Sequence, residues 1–298
     1  MNPVQLTKHP MLLSGSWPVL QGAAENRLRM EWHQQNDGVV NKRGFAIQVG
    51  EANDDGVDQW TQDWQGNYFG PPNRGYCREI HKQLTGEDRD DFREFAPLYT
   101  VRDQNYWKGL FTPTRYRYNL TPTTKARIAH VELCGMNDSS DVALYFYFVN
   151  GLRLYDVVIN GKRPHMAFLG CRDVRITNCK CSSIAFNSCV KCTVDRCVVP
   201  DWSVGVEEAC AAITVTDSQL SWFYCNDAVC RNLTLTNNTF TMDNPNYGAI
   251  AIRGGRNVLV RGCSWPAAAP AWSWNTPVNQ FRVEQCTGEV VRYAPAEK

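Results

Sequence analysis

Four charged residues are the best candidates for chemistry in this chain. Three are acids and one is a base: Glu207, Glu208, Asp227 and Arg253. Two carboxylates about 5 Å apart suit a retaining glycosidase, and a separation of about 6.5 to 9.5 Å suits an inverting one. An arginine beside tyrosines would instead suit β-elimination from a uronic acid. Either chemistry requires a framework that brings these positions together.

Five aromatic residues belong to the same candidate region, where they could stack on sugar rings as flat apolar surfaces with polar edges. They are Tyr145, Tyr147, Trp202, Trp222 and Tyr224. A purely structural interpretation stays open beside this one. In it, Glu208 and Arg253 form a salt bridge on a solvent face, and the tryptophans pack under loops.

The framework is a strand repeat between Val149 and Gly288. Seven pairs of apolar residues each flank one outward residue, which is the period-2 signature of a strand. The pairs are Leu152/Leu154, Val174/Ile176, Cys192/Val194, Ile213/Val215, Leu233/Leu235, Val258/Val260 and Phe281/Val283. Their second members are 22, 18, 21, 20, 25 and 23 residues apart. Such a unit cannot bury its apolar face alone, so it indicates one coil of a solenoid.

Like residues recur at fixed offsets from each pair, as expected when one position of every coil points into a narrow interior. One column holds Val149, Cys171, Cys189, Cys210, Cys230 and Gly255, and a second holds Val157, Cys179, Cys197, Ser218, Asn238, Cys263 and Cys286. A third holds Ile159, Cys181, Val199, Leu220, Phe240, Trp265 and Gly288. Val131 and Leu133 are expected to extend the pairs one coil earlier.

A second alternating run precedes the cysteine turn of each coil. Its inward column is predicted to contain Phe146, Phe168, Phe186, Glu207, Asp227 and Ile252, and its outward column Tyr147, Leu169, Asn187, Glu208, Ala228 and Arg253. This register would place the four charged residues within two coil spacings, about 10 Å. The coil leading to Glu207 is longer than its neighbours, which would allow a β-bulge to turn the acid outward.

These patterns predict an all-β fold, a right-handed parallel β-helix. A leucine-rich repeat is the main competing solenoid, but its asparagine-and-leucine consensus is missing. Coils such as Asn257-Val258-Leu259-Val260-Arg261-Gly262-Cys263 resemble those of the pectate-lyase-like β-helix superfamily, over roughly residues 125–290. Within it, the chain is similar to phage tail spikes and capsule depolymerases, which combine a β-helix with aromatic loops and acidic residues outside any shared motif.

The resemblance implies a function as well as a fold. The paired-aspartate and Gly-His-Gly signatures of polygalacturonases and the Arg-x-Pro-x-x-Arg of pectate lyases are missing, so an ordinary pectinase is not expected. A tail-spike-like depolymerase, a glycoside hydrolase or polysaccharide lyase acting on a bacterial surface glycan, is expected instead. The resemblance also implies a homotrimer and a virion component. The alternative is a non-catalytic β-helix, a spike shaft or glycan-adhesive fibre.

Thirteen cysteines would be compatible with disulfides or a zinc site, but their spacing argues against both. Most occupy the repeated columns, where neighbouring coils are about 4.8 Å apart. Cys179/Cys181 and Cys189/Cys192 mimic metal-binding pairs, yet no histidine or second matching pair lies near them. We therefore expect buried thiols that pack as small apolar groups, in a protein made in a reducing cytoplasm.

Residues 1–124 are expected to form an irregular N-terminal region, and residues 125–298 the regular coils. Leu28–Trp32 and Gly44–Val49 alternate like early strands. An aromatic-rich insertion follows, at about 50–119, with one short helix expected at about Asp88–Phe95. Its Asn53-Asp54-Asp55-Gly56 segment is expected to be a solvated turn rather than a calcium loop.

Charge and hydropathy exclude several classes of partner. The chain carries 31 basic and 30 acidic residues, so nothing draws it to nucleic acid or an anionic membrane. No apolar run is long enough to span a bilayer, and the N-terminus lacks the pattern of a signal peptide. Neither a cofactor nor a metal is expected, and the partner implied by the resemblance is a polysaccharide.

Overall fold

The computed structural model describes most of the repeat region and parts of the N-terminal region. The described residues are 4–7, 11–13, 19–33, 45–49, 125–136, 142–147, 149–161, 165–169, 171–187, 189–207, 210–226, 230–244, 248–253, 255–274 and 280–293. Two compact units divide the chain: Met1–Gly50 with Thr123–Lys298, and Glu51–Pro122. The second unit lies outside the described residues.

Two parallel sheets of eleven strands each build the first unit. The first sheet consists of β1 (Val4–Thr7), β3 (Val19–Gln21), β4 (Leu28–His33), β6 (Arg127–Met136), β8 (Arg153–Gly161), β10 (Arg172–Thr177), β12 (Val190–Asp195), β14 (Ala211–Thr216), β16 (Arg231–Thr236), β19 (Arg256–Arg261) and β21 (Phe281–Glu284). The second sheet consists of β2 (Met11–Leu13), β5 (Phe45–Val49), β7 (Val142–Tyr147), β9 (His165–Leu169), β11 (Ser183–Asn187), β13 (Val198–Glu207), β15 (Gln219–Cys225), β17 (Thr239–Phe240), β18 (Ile250–Arg253), β20 (Ala271–Trp274) and β22 (Val290–Tyr293).

Each regular coil contributes one strand to each sheet and pairs in parallel with the coils before and after it. The described residues contain essentially no helix, and the fold is a right-handed parallel β-helix, as predicted. The early strands are confirmed too, because β4 pairs with β6 and β5 pairs with β7. The expected helix at Asp88–Phe95 and the Asn53–Gly56 turn lie outside the described residues.

The apolar pairs of the first sheet stack in the predicted register. Val174 pairs with Cys192, which pairs with Ile213, and the ladder continues through Leu233 and Val258. One extension of this ladder was wrong. Val131 and Leu133 are buried, but they align with Val157 and Ile159, the columns that follow the pairs, and Ile128 takes the place expected for Leu133 beside Leu154.

The interior of the second sheet is an aromatic stack followed by smaller residues. The rings of Phe146 and Phe168 are 4.7 Å apart and nearly parallel, and those of Phe168 and Phe186 are 5.0 Å apart. Each such contact adds about 0.5 to 1.5 kcal/mol beyond the burial of the rings. In the next two coils the same position is occupied by Val206 and Cys225, so the inward side chains are smaller where the candidate site begins.

In each first-sheet strand from β6 to β21, a residue with a left-handed backbone lies two places after the last residue of the inward ladder. We call these residues the corner column: His130, Asp156, Asn178, Arg196, Asp217, Asn237, Gly262 and Gln285. Asn, Asp and Gly tolerate positive φ better than other residues, which explains why they recur here. The column also bonds along the stack, since the Asn237 amide donates to Asp217 Oδ1 at 3.1 Å.

Candidate functional site

The structure corrects the predicted register of Glu207. In the second sheet Phe186 pairs with Val206 and Asn187 pairs with Glu207. Val206 then pairs with Cys225, and Cys225 with Ile252. The prediction that Glu207 and Asp227 replace apolar residues in the inward column was therefore wrong, because Val206 and Cys225 fill those two places. Glu207 belongs to the outward column, where its carboxyl avoids the cost of burial among phenylalanines.

A β-bulge in β13 was also predicted and is present, but it does not cause this shift. Phe186 precedes Cys189 by three residues, whereas Val206 precedes Cys210 by four and Cys225 precedes Cys230 by five, so a register counted back from the cysteines misplaces both acids. Val199 pairs with Leu220, but the next pair is Ser203 with Trp222. Three residues, Pro200 to Trp202, thus face only Ser221. Because successive strand residues point to opposite faces, the two extra residues leave the alternation of inward and outward positions after the bulge unchanged. The bulge is held by Ser182, whose hydroxyl donates to Asp201 Oδ2 at 2.9 Å and whose carbonyl accepts from Trp202 N at 3.0 Å.

The Glu207 carboxyl lies among neutral hydrogen-bonding groups. Asn226 Nδ2, from the next coil, donates to Glu207 Oε1 at 3.2 Å. The Tyr224 hydroxyl bonds to both Glu207 and Ser203. Burial raises the pKa of Glu207, and the bonds from Asn226 and Tyr224 partly oppose this rise. Burial, and next the charge of Glu207, raise the pKa of Tyr224.

Gly205 makes the contact between Tyr224 and Glu207 possible. It pairs with Tyr224, and a Cβ on Gly205 would lie 2.4 Å from both the ring carbon Cζ and the hydroxyl oxygen of Tyr224. No side chain fits at that distance. The tyrosine therefore crosses the backbone of the preceding coil and reaches its polar residues, because this position of β13 carries no side chain.

An aromatic row leads from the bulge to the acid. The rings of Trp202 and Trp222 are 6.2 Å apart at 81°, and those of Trp222 and Tyr224 are 5.0 Å apart at 33°. Trp202 is 39% exposed, whereas Trp222 and Tyr224 are partly buried. These three predicted residues are brought together with Glu207. The row presents an accessible aromatic edge next to a carboxyl group.

The other predicted site residues are placed differently. Tyr145 is 8% exposed and lies in the column of Tyr224 but four coils away, about 19 Å. Tyr147 ends β7, and its side chain lies outside the description, as do Glu208 and Asp227. Arg253 is exposed and follows Ile252, two coils beyond Val206, so it lies about 10 Å along the stack from Glu207.

A second polar cluster was not predicted from the sequence. Asp156 accepts two bonds from Arg27, at 3.1 and 2.6 Å, and one from His130 Nδ1 at 2.9 Å. The Arg27 bonds, and next that of His130, hold the pKa of Asp156 below its usual range despite partial burial. Tyr155, 41% exposed, contacts the His130 ring edge-on at 5.3 Å. The corner column places His130 and Asp156 in adjacent coils, a signal visible only once the coils are aligned.

The cysteines form hydrogen-bonded columns rather than a metal centre. The twelve cysteines of the described residues are thiols. Backbone N–H groups donate to the sulfur of the next coil, from Cys171 to Cys189 at 3.4 Å and from Cys189 to Cys210 at 3.1 Å. Burial raises the pKa of Cys192 and raises that of Cys263 to about 11, so these thiols stay protonated.

The described part of the chain contains neither a candidate metal cluster nor a candidate membrane-spanning helix. Within it, no group of three or more His, Cys, Asp or Glu side chains is arranged to hold a metal ion. No helix there is long and apolar enough to cross a membrane.

Comparison with known proteins adds no relative: no family model, no curated protein and no solved structure matches the chain. The architecture itself, a parallel β-solenoid of stacked coils, is compatible with a β-helix superfamily.

Proposed function

We propose that this protein binds a bacterial surface polysaccharide on the outer face of the second sheet and cleaves it, in the manner of a tail-spike depolymerase. One observation carries the proposal: the partly buried Glu207 carboxyl lies at the end of the Trp202–Trp222–Tyr224 row. Stacking aromatics and a carboxyl group are the two features that a glycosidase subsite combines.

Glu207 is assigned the role of general acid. A carboxyl group taken out of water keeps its proton to higher pH, and burial acts on Glu207 in this direction. It can then protonate the oxygen of a glycosidic bond as that bond breaks. Tyr224 and Asn226 orient the group through their hydrogen bonds. For hydrolysis the second carboxylate would come from Glu208 or Asp227. For elimination, Arg253 would neutralise the uronate.

The aromatic row is assigned the binding role. Trp202 offers its exposed face to a sugar ring, and Trp222 and Tyr224 continue the surface toward the acid. The same proposal makes the protein a homotrimer and a virion component produced in a reducing cytoplasm. The trimer and the virion role are inferred from the resemblance to tail spikes, and the reducing cytoplasm from the buried thiols.

A non-catalytic glycan-binding or shaft β-helix is the second candidate. It is favoured by the neutral character of the groups that bond to the Glu207 side chain, Tyr224 and Asn226. With such partners, the carboxyl group could serve only to satisfy hydrogen bonds between adjacent strands of the sheet. Under this candidate the aromatic row would still bind sugar.

The test is cleavage of bacterial capsule or lipopolysaccharide, measured as new reducing ends and as the ultraviolet absorbance of an unsaturated uronate. Glu207→Gln should reduce cleavage by roughly 100-fold or more, because general acid catalysis contributes about 10² to 10⁴ in rate. The matched control is Glu284→Gln, at an ion pair with Arg261 on the first sheet, which should leave cleavage unchanged.

The two candidates give different results in this assay. Glycan binding without either product signal would favour the non-catalytic candidate. Cleavage by the parent that persists at full rate in Glu207→Gln would remove Glu207 from the reaction. Circular dichroism of each variant should match that of the parent, so that a loss of activity reports on the site and not on folding.

A further inference from the structure

Asn187 is a buried amide with an unused acceptor. Asn187 is only 7% exposed, and its side-chain oxygen, Oδ1, accepts no hydrogen bond from the residues that the structure describes. A buried acceptor without a partner is destabilising, so its presence in a buried sheet position needs a reason. The position suggests one, because Asn187 pairs with Glu207 in the adjacent strand.

Glu207 therefore has an asparagine on each side of it. On the β15 side, Asn226 approaches with its Nδ2, a donor, at 3.2 Å from Oε1. On the β11 side, Asn187 offers an acceptor from the neighbouring coil, about 4.8 Å away along the stack. An ionised carboxylate only accepts hydrogen bonds, whereas a protonated carboxyl has one O–H to donate. The two asparagines thus favour opposite protonation states.

We propose that Asn187 is a positioning residue that accepts the hydrogen bond of the protonated Glu207 carboxyl and so holds the acid's proton on the β11 side. The hydrogen bond between Asn187 and Glu207 does not depend on the proposed function. Only its catalytic consequence, the positioning of a general acid, rests on that function. The proton satisfies the buried Asn187 Oδ1, while Asn226 continues to donate to the other carboxyl oxygen. The acid is thereby held in one orientation before substrate arrives.

Other groups facing Glu207 act on the same equilibrium. Tyr224, from β15, donates to the carboxylate and favours the ionised form. Cys210 follows β13 and, as a thiol, donates through Sγ to the Glu207 backbone carbonyl at 3.0 Å; if it lost that proton, its negative charge would favour the protonated form of Glu207. Arg253 of β18 is two coils away and favours the ionised form. The chain neighbour Glu208 carries a charge that favours the protonated form.

The experiment compares Asn187→Leu with Asn226→Leu, the same substitution on either side of the acid. The proton affinity of Glu207 is measured on the full chain by carbon-13 NMR titration, with Glu207→Gln identifying the resonance. Loss of the acceptor in Asn187→Leu should lower this affinity roughly fivefold to tenfold, and loss of the donor in Asn226→Leu should raise it similarly. Leucine also makes the site more apolar, which alone would raise the affinity in both variants.

An affinity in Asn187→Leu that equals or exceeds that of the parent would overturn the proposal. Thermal stability measured as a function of pH provides a second, independent test. The raised pKa of Glu207 gives the parent stability that is present at low pH and is lost as pH rises through the folded-state pKa, and Asn187→Leu should weaken this dependence. Neither measurement uses a glycan, so each stands even if Glu207→Gln cleaves like the parent.

Discussion

At the residue scale, place in the coil decides what a side chain can do. Asp156 and Asn178 share the corner column and a left-handed backbone, yet Asp156 alone of the two collects Arg27 and His130 in the described structure. Arg27 precedes Leu28, the partner of Val131, so it occupies the same column one coil before His130. Three coils thus contribute one residue each to a charged cluster at a corner.

Asp156→Asn should reduce stability at neutral pH and flatten its dependence on acid. The lowered pKa of Asp156 means that its contribution is fully present above the unfolded-state pKa, about 3.9, and is lost as pH falls through the folded-state pKa. Urea unfolding at pH 7 and near pH 3 measures the difference. Asp217→Asn, in the same column but bonded to the neutral Asn237 and Thr216, is the control. Equal effects of the two changes would contradict the role assigned to Arg27.

At the element scale, each strand separates an inner face from an outer one. Ile213 is fully buried and continues the apolar ladder, whereas Thr214 beside it is only partly buried and pairs with other threonines on the outer face. The bulge in β13 adds two residues to that strand, and the alternation of faces continues after it. Glu207 lies on the outer face because it directly follows Val206, which fills the inward position beside Phe186 and Cys225.

Ile213→Asp should abolish folding, and Thr214→Asp should be tolerated. The first change buries an uncompensated charge in the ladder, while the second adds a charge that water can reach. Soluble expression, circular dichroism and urea unfolding compare the two variants. Similar behaviour of both would mean that the faces of β14 are assigned wrongly.

At the scale of the whole molecule, the coils hold one continuous interior with thiol columns at two of its corners. In the second column, buried backbone N–H groups donate to side chains of the next coil, so these donors are not left without a partner. Cys197 N donates to Ser218 Oγ at 3.0 Å, and Ser218 N donates to Asn238 Oδ1 at 3.0 Å. Cysteine, serine and asparagine thus serve one purpose in this column. The cysteines act as packing residues that also accept weak hydrogen bonds.

Denatured, unreduced protein should therefore titrate with close to its full complement of 13 thiols. The folded protein should react far more slowly, because the column cysteines are buried. A thiol reagent measures the thiol count with denaturant and the reaction rate without it. Protein that has first been reduced gives the count expected without disulfides. Several disulfides in the denatured sample would exclude both the thiol columns and folding in a reducing compartment.

Much of the fold could be predicted from the sequence, because every coil of a solenoid repeats the same pattern of buried and exposed positions. Val174, Cys192 and Ile213 had to face inward, since no other arrangement buries an apolar pair in every coil. The cysteine columns followed from the same period. Trp202, Trp222 and Tyr224 lie in one row beside Glu207, but none of them pairs with it, since Tyr224 pairs with Gly205 and Trp222 with Ser203.

The tertiary structure alone decided which atoms meet. The spacing from the inward residue to the next column cysteine is three residues for Phe186 but four for Val206 and five for Cys225, and a repeat pattern counted back from the cysteines cannot locate those extra residues. The sequence also contains no sign that Gly205 leaves room for Tyr224, or that Asn187 presents an unused acceptor beside an acid. The repeat length and the alternation of apolar and polar residues determined the coil, because the same positions are buried in every repeat. The site depended on register and side-chain direction, because hydrogen bonds form only between particular atoms at particular distances.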